Sequence, residues 1–199
     1  MRITKSRNKH RQIAYTAELS EYDAEPPSRT WLLDELPDKI NPELEAVALY
    51  LIFGSWCGGE FHVPQKMGPN TASAISRHAG MDFFPGPIEY YPKPLSRGSR
   101  AIRLVERIEN AGPSTFVSLG SSDWNGSLRS SSAVLVSSNT PVFSRLQGSW
   151  HAKIAPLVLM ADELDARTIL FSDSEGGSVE GGLRGLLSAV GLNFSIQQD

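Results

Sequence analysis

The sequence predicts an α/β protein in which a helix-rich N-terminal region is followed by a layer of parallel strands and helices. Apolar residues recur at helical spacing after residue 41, and strand and helix patterns alternate from residue 140 onward. The chain has 199 residues, of which 40% are hydrophobic, so it can bury a core without disulfide bonds. We divide it into a basic flexible arm over residues 1–16, a helix-rich, proline-punctuated region over residues 17–110, and an α/β layer with a glycine-rich loop over residues 111–199.

Capping signals predict the first helix over residues 41–53. Asn41 is a favourable N-cap, and Pro42 suits the first helical position. The acidic Glu43 and Glu45 favour the positive end of the helix dipole. Helical spacing then predicts a buried face made of Leu44, Val47, Ala48, Leu51 and Ile52.

Glycine and proline divide the middle of the chain. A second helix is predicted from Asn70 to His78, because Gly80 follows it. Residues 81–99 are predicted to form an extended connector, since a regular element does not tolerate prolines at the spacing of Pro85, Pro87, Pro92 and Pro94.

The C-terminal region is predicted to alternate between strands and helices. The predicted strands are Thr115–Leu119, Ala133–Ser137, Pro141–Leu146 and Thr168–Phe171, and the predicted helices are Ala152–Leu164 and Leu183–Val190. The buried side of the first of these helices is expected to contain Ile154, Leu157, Val158, Met160 and Ala161.

Charge is unevenly distributed around a net value of −3. Five of the 19 basic residues precede Glu18, the first acid, and the other 14 share the remaining chain with 22 acids. A basic arm can bind nucleic acid by releasing counterions, but an acidic body repels the same phosphates. We therefore interpret residues 1–16 as a solvated terminus and expect nucleic-acid contact only through this arm.

The sequence shows no apolar run of about 18 residues and no signal peptide, so we expect a soluble, cytoplasmic protein with no membrane contact. The only cysteine, Cys57, excludes an internal disulfide framework.

The most informative stretch is residues 172–182, which read Ser-Asp-Ser-Glu-Gly-Gly-Ser-Val-Glu-Gly-Gly between a predicted strand and a predicted helix. Glycine lets a ligand approach backbone N–H groups closely, and a helix N-terminus adds partial positive charge. We therefore predict a site for a phosphate, a carboxylate or a developing oxyanion on Gly176, Gly177 and Ser178, with Ser174, Asp173 and His151 in support. A flexible turn without a ligand is the alternative.

Over about residues 141–190 the chain resembles the Clp-type serine peptidases, and more loosely the signal-peptide-peptidase-like proteins, and residues 155–183 carry the likeness. The shared pattern is an apolar helix, an acidic link, a hydrophobic strand and a Ser-Pro-Gly-Gly-Ser-Val turn, in which Glu175 replaces the proline here. The resemblance implies that Gly176 and Gly177 supply oxyanion-hole N–H groups. It carries over no catalytic serine, histidine or aspartate, because no later segment of the chain matches the turn that holds the family's nucleophile.

Two other patterns indicate different chemistry. The strand ending at Asp173, followed by Ser178, resembles the phosphate loop of phosphoribosyltransferases. Cys57 lies among glycines, and a reactive thiolate there needs a base such as His62, His78 or His151. The alternative for Cys57 is a small buried apolar side chain.

Glu60 and His62 are two residues apart, so both could bind one metal ion if they lie on a strand. The sequence offers no third ligand at a suitable spacing from them. We therefore expect neither a metal nor a cofactor.

The resulting hypothesis is a degenerate or partial Clp-type layer with an anion-binding loop, which is not catalytic by itself. A non-catalytic interaction subunit and a phosphoribosyltransferase-like enzyme are the alternatives. In each case we expect a protein partner or a homo-oligomer.

Overall fold

A computed structural model describes residues 1–7, 12–34, 37, 39–80, 82–95, 98–105, 112–120, 126–129, 133–147, 150–172 and 181–197. Within these ranges the chain forms a mixed α/β fold, as the sequence predicts. No helix in the described part of the chain has the length and apolar character needed to cross a membrane.

The elements follow one another from a strand-rich N-terminus to a parallel layer. In chain order they are β1 (Arg2–Arg7), β2 (Ile13–Glu18), β3 (Thr30–Leu33), α1 (Pro42–Phe53), a 3-10 turn (Gly54–Trp56), β4 (Glu60–Met67), α2 (Pro69–Ala79), β5 (Phe84–Ile88), β6 (Arg100–Val105), β7 (Thr115–Gly120), β8 (Leu128–Arg129), β9 (Ala133–Ser138), α3 (Thr140–Gln147), α4 (Trp150–Met160), β10 (Ala166–Ser172), α5 (Gly181–Ala189) and β11 (Asn193–Gln197).

The strands form one mixed sheet in the order β11-β10-β6-β7-β9-β3-β2-β1-β4-β5, and β8 pairs with β9 beside this path. The first five strands in this order are parallel to one another. Neighbours then alternate in direction from β9 to β1, and β4 and β5 run parallel to β1. The sheet therefore continues without a break from the N-terminal strands into the parallel layer.

Helices pack on one face of this sheet. Right-handed crossovers from β4 to β5, from β9 to β10 and from β10 to β11 all place their helices on the same face, given these strand directions. The packing agrees, because α1 contacts α4, α2 contacts α5, and these helices share one hydrophobic core. On the other face, Val105, Val117, Ala133 and Leu135 form a smaller buried cluster.

Helix α1 confirms the first predicted helix and its cap. The Asn41 Oδ1 atom accepts a hydrogen bond from the Glu43 N–H at 3.0 Å, and Pro42 opens the helix. Burial is complete and not limited to one side, because all residues from 43 to 53 are buried. The predicted core positions Leu44, Val47, Ala48, Leu51 and Ile52 are therefore confirmed.

Residues 1–16 do not form the predicted flexible arm. Arg2–Arg7 and Ile13–Glu18 are antiparallel strands, with Ile3, Ile13 and Tyr15 in the core. The basic side chains of β1 lie at exposed positions of a strand, and a count of charges gives no weight to the buried Ile3 between them. Residues 8–11 lie outside the described residues.

A buried carboxylate joins these strands to α1. Glu45 is fully buried, and it accepts hydrogen bonds from the Tyr15 hydroxyl at 2.7 Å, Lys5 Nζ at 3.0 Å and Gln65 Nε2 at 2.8 Å. Burial and the adjacent Glu45 charge raise the pKa of Tyr15, so the phenol stays protonated and donates. Strands β1, β2 and β4 thus each contribute one hydrogen-bond donor to Glu45 of α1.

The N-terminal amine anchors the start of β1. It lies 2.8 Å from Asp23 Oδ2 and donates to the Glu60 carbonyl at 2.6 Å. Burial alone would raise the pKa of Asp23, but hydrogen bonds from this ammonium, the Gly58 N–H and Ser20 outweigh it and lower the pKa to about 2. Asp23 therefore holds a negative charge in the folded chain down to low pH.

The predicted connector over residues 81–99 contains a strand. Phe84–Ile88 pairs with β4 even though it carries Pro85 and Pro87. Strand β5 is the last in the sheet order, so it needs ladder hydrogen bonds on one side only, and proline is tolerated there.

The segment Pro141–Leu146 is a helix and not the predicted strand. Proline suits the start of a helix, and Pro141 is the second residue of α3. The helix then buries Phe143 against Phe53 and Trp56, with ring centroids 5.5 and 6.1 Å apart. The final strand, β11, was not predicted, because its alternation is confined to five residues.

The remaining element predictions are confirmed within a few residues. Helix α2 ends at a left-handed Gly80, strands β7, β9 and β10 coincide with the predicted segments, and α5 covers the predicted last helix. Helix α4 ends at Met160 and not at Leu164 as predicted, but its predicted buried side chains are all in the core.

Truncation of a core residue of α1 should destabilise the fold. Leu51 is 2% exposed, so Leu51→Ala should lower the free energy of unfolding by about 2–5 kcal/mol through lost burial and a residual cavity. Urea denaturation followed by circular dichroism measures the change. Tyr91→Ala, at a side chain 92% exposed, is the control, and an equal effect of the two substitutions would contradict the buried position of α1.

Removal of the Asp23 charge should change the pH dependence of stability. The pKa of Asp23 is lower in the folded chain than in the unfolded chain, so its contribution is present above about pH 4 and is lost as the pH falls toward about 2. We expect Asp23→Asn to cost about 1–2 kcal/mol at pH 7, in a chain that begins at Met1.

The difference between Asp23→Asn and the wild type should shrink between about pH 4 and pH 2 in urea denaturation. Glu25→Gln, which removes an exposed ion pair with Arg29, is the control and should leave the stability unchanged. A difference that stays constant down to pH 2 would show that the Asp23 carboxylate is not stabilised in this way.

Candidate functional site

The parallel strands reverse their order beside β6. The chain adds β7 and then β9 on one side of β6, and afterwards crosses back to add β10 and β11 on the other side. In open parallel sheets, ligands bind outside the carboxyl ends of the strands where the order reverses. The carboxyl ends of β6 and β10 therefore mark the candidate site.

The glycine-rich segment leaves the sheet at this point. Strand β10 ends at Ser172 and α5 begins at Gly181, so the segment connects the carboxyl end of the strand to the amino end of the helix. Five of the predicted site residues lie outside the described residues, namely Asp173, Ser174, Gly176, Gly177 and Ser178. Their role in binding stays a prediction.

His151, the sixth predicted site residue, belongs to a cluster that we call the histidine cluster and define as Tyr50, His78 and His151. The Tyr50 hydroxyl lies 2.8 Å from His78 Nδ1, and their rings meet edge to face. The His78 and His151 rings are also edge to face, with centroids 5.1 Å apart. Side chains from α1, α2 and α4 thus meet in one polar cluster.

The histidine cluster lies beside the first turn of α5. A Cβ atom on Gly182 would be 3.2 Å from His78 Cδ2 and 3.6 Å from His78 Nε2. The Nε2 side of this imidazole therefore faces the helix turn into which the glycine-rich segment leads. Because Gly182 has no side chain, the backbone of α5 approaches the ring closely.

Chain direction explains why these side chains meet at one edge of the sheet. His78 is in the last turn of α2, which left-handed Gly80 terminates before the chain enters β5. His151 is in the first turn of α4, where the Trp150 ring packs on Phe171 near the end of β10, with centroids 4.7 Å apart. The ends of α2, α4 and α5 therefore converge at the carboxyl end of β10.

Two basic side chains lie in the described first turns of the helices at this edge. Lys153 Nζ lies 4.7 Å from the centre of the Trp150 ring in the first turn of α4, and the Arg184 guanidinium lies 5.9 Å from the centre of the Phe194 ring. In the described first turns of α4 and α5 there is no acidic residue. The amino end of α5 adds the partial positive charge of its backbone N–H groups.

Cys57 has a structural position and not the environment of a nucleophile. Its thiol is buried and donates to the Glu60 carbonyl at 3.2 Å. Burial raises the pKa of this thiol, and the nearby Asp23 charge adds to the effect, although the N-terminal ammonium opposes it. The side chain therefore stays a neutral thiol near pH 7, as expected for a small buried apolar group.

The third candidate base for Cys57, His62, lies on β4 opposite Gly86 of β5. Among the residues that the structure describes, no three histidine, cysteine, aspartate or glutamate side chains converge on a common metal position.

Sequence reasoning missed Tyr50 and gave His78 only one role, as a base for Cys57. Nothing near Tyr50 in the sequence distinguishes it from the other buried residues of α1. The one local signal for His78 was its position in a last helical turn before a glycine, where a cationic side chain is favoured.

Comparison of the chain with protein-family models, curated proteins and solved structures finds no match. The apolar helix α4, the acidic link and strand β10 follow one another in the order on which the resemblance to Clp-type peptidases rests. The relationship itself stays a prediction.

Proposed function

We propose that this chain binds a small molecule through an anionic group, at the sheet edge outside β6 and β10. The observation that carries the proposal is the strand order, which reverses beside β10 where the glycine-rich segment begins. In this proposal Gly176, Gly177 and Ser178 direct backbone N–H groups toward the anion. The first turn of α5 adds further donors and a favourable dipole.

The described first turns of α4 and α5 support an anion over a neutral ligand, whereas the glycine-rich segment itself carries Asp173, Glu175 and Glu180. The described side chains in the first turns of α4 and α5 are neutral or basic, and His78 of the histidine cluster lies against the first turn of α5. A phosphate, a carboxylate and an oxyanion share the chemistry that such donors recognise. The proposal therefore joins the phosphate-loop and oxyanion hypotheses in one binding site.

The resemblance to Clp-type peptidases supports anion binding but not catalysis. We propose that the layer, if related to these peptidases, retains an anion-binding turn without the nucleophile, since the resemblance assigns no catalytic serine. His151 is the only histidine that the sequence places in the C-terminal layer, and in the structure it packs on His78. We infer that it serves the binding site.

Anion binding should depend on the N–H donors of the glycine-rich segment. Isothermal titration of the wild type with inorganic phosphate and with acetate tests the binding. Replacing Gly176 and Gly177 together by proline removes two donors and should weaken the affinity by about tenfold or more.

Gly185→Ala is the matched control for this titration, because a Cβ there meets no atom within 4 Å. It should bind phosphate as the wild type does, and thermal melts should show that all variants are folded. Failure of the wild type to bind either anion would contradict the proposed function.

Serine-hydrolase activity should be absent from the chain. Peptide hydrolysis by a serine requires a base within hydrogen-bond reach and an oxyanion site together. A fluorophosphonate probe should therefore leave the purified protein unlabelled, as judged by intact mass. Covalent labelling that is abolished by changing one serine would overturn this prediction and favour an active hydrolase.

A further inference from the structure

We propose that residues 90–95, which we call the proline segment, are a docking site for a protein domain that binds polyproline II helices in an aromatic-lined groove. The proline segment reads Tyr-Tyr-Pro-Lys-Pro-Leu and follows β5, the strand at one end of the sheet order. Two observations carry the inference, namely the backbone conformation that the prolines impose and the exposure of the two tyrosines. The inference is independent of the proposed anion site.

The prolines determine the backbone conformation of the proline segment. The rings of Pro92 and Pro94 hold their own φ at about −65°, and each ring also disfavours helical backbone at the residue before it, Tyr91 or Lys93. Four consecutive residues therefore favour the polyproline II conformation. The structure agrees, because residues 92–95 belong to neither a helix nor a strand.

One face of the proline segment is anchored to the protein. A polyproline II helix has three residues per turn, so Pro92 and Leu95 share a face. A Cβ on Gly68 would be 3.0 Å from Pro92 Cγ, and the half-buried Leu95 borders a small cleft together with Leu44. The contacts of these two residues therefore follow the threefold period, and they define the inner face.

The two remaining faces point outward and carry both tyrosines. Tyr91 and Pro94 share one face, about 9 Å apart at a rise of about 3.1 Å per residue, and Tyr90 and Lys93 share the other. Tyr90 is 75% exposed, Tyr91 is 92% exposed, and Lys93 and Pro94 are exposed as well. Exposed aromatic side chains grouped in this way are typical of an interaction site, since a partner that covers them removes apolar surface from water.

The backbone of the proline segment determines which kind of partner fits. The Glu89 N–H donates to the Met67 carbonyl at 2.7 Å, and the Tyr91 N–H donates to Glu89 Oε1 at 3.2 Å. Pro92 and Pro94 have no N–H. A partner that adds a β-strand needs alternating N–H and C=O groups and does not fit, whereas an aromatic-lined groove binds side chains and carbonyl groups.

Charge and conformation narrow the partner further. Lys93 is the only charged residue between residues 90 and 95, so its exposed ammonium favours a groove with an acidic rim. The conformation is already restricted before binding, which lowers the entropic cost of docking into such a groove. A lipid surface would also cover the tyrosines, but it gives no role to the polyproline II conformation.

Titration of purified SH3 and WW domains with the full chain tests the proposal, because both classes bind polyproline II segments in aromatic-lined grooves. The set should include domains with acidic and with neutral groove rims, and nitrogen-15 NMR of the labelled domain locates the contact. We expect a domain with an acidic rim to bind, with shifts in its aromatic groove, and a polyproline peptide to displace the chain. Binding to none of the domains would overturn the proposal.

Substitutions in the proline segment should weaken this binding. We expect a loss of about tenfold or more for Tyr91→Ala and of several-fold for Pro94→Ala, which releases the backbone at Lys93. Lys93→Glu should weaken binding to the acidic rim, and Lys93→Arg should retain it. Tyr22→Ala, at a tyrosine that is 80% exposed outside the segment, is the matched control and should bind as the wild type does.

Thermal melts should show that all of these variants are folded, because the substituted side chains are exposed. Equal affinities of Tyr91→Ala and Tyr22→Ala would contradict the docking site. Two further measurements test other occupants of the same surface, namely cosedimentation with phosphatidylcholine vesicles and analytical ultracentrifugation of the chain alone. Vesicle binding or self-association that Tyr91→Ala abolishes would assign the tyrosines to a membrane or to a second copy, and would overturn the proposal.

Discussion

The handedness of strand–helix–strand crossovers is the constraint on which the rest of this structure depends. Strands β4 and β5 point opposite to β9, β10 and β11, and their connection also proceeds in the opposite direction along the sheet. Reversing both the strand direction and the direction of the connection leaves the helix on the same face of the sheet. Right-handed crossovers therefore place α2 on the same face as α4 and α5. Helix α1 is then enclosed by the sheet, α2 and α4, which explains why it is buried on all sides.

Because α1 is enclosed, burial of its carboxylates is unfavourable unless they accept hydrogen bonds. Most of these hydrogen bonds come from the N-terminal strands. Glu45 has three donors from β1, β2 and β4, and Glu43 accepts from the Gly68 N–H at 2.7 Å. The Tyr15 ring stacks on Trp31, whose indole N–H donates to Thr140 at the start of α3. Polar contacts thus connect the antiparallel strands to both ends of the helical layer.

Local sequence signals predicted many of the helices and strands. They did not predict the segments whose conformation depends on their position in the sheet. The Asn41 cap and the glycines after α2 and α5 are local, so these helices could be predicted from the sequence. The proline strand β5 and the strand Arg2–Arg7 depend on sheet position and on a buried partner for Lys5, which no local pattern contains. The same limit applies to the candidate site, because its glycine-rich segment is a local signal whereas Tyr50 and His78 join it only through packing.

The strand directions that place the helices on one face also determine which helix ends meet. Helices α4 and α5 begin, and α2 ends, at the carboxyl edge of the parallel strands, since each connects strands whose directions are fixed by the sheet. This edge gathers the N-termini of α4 and α5 and the C-terminus of α2, so the dipole of α2 opposes the dipoles of the other two helices there. The His78–His151 contact beside Gly182 is therefore a consequence of topology.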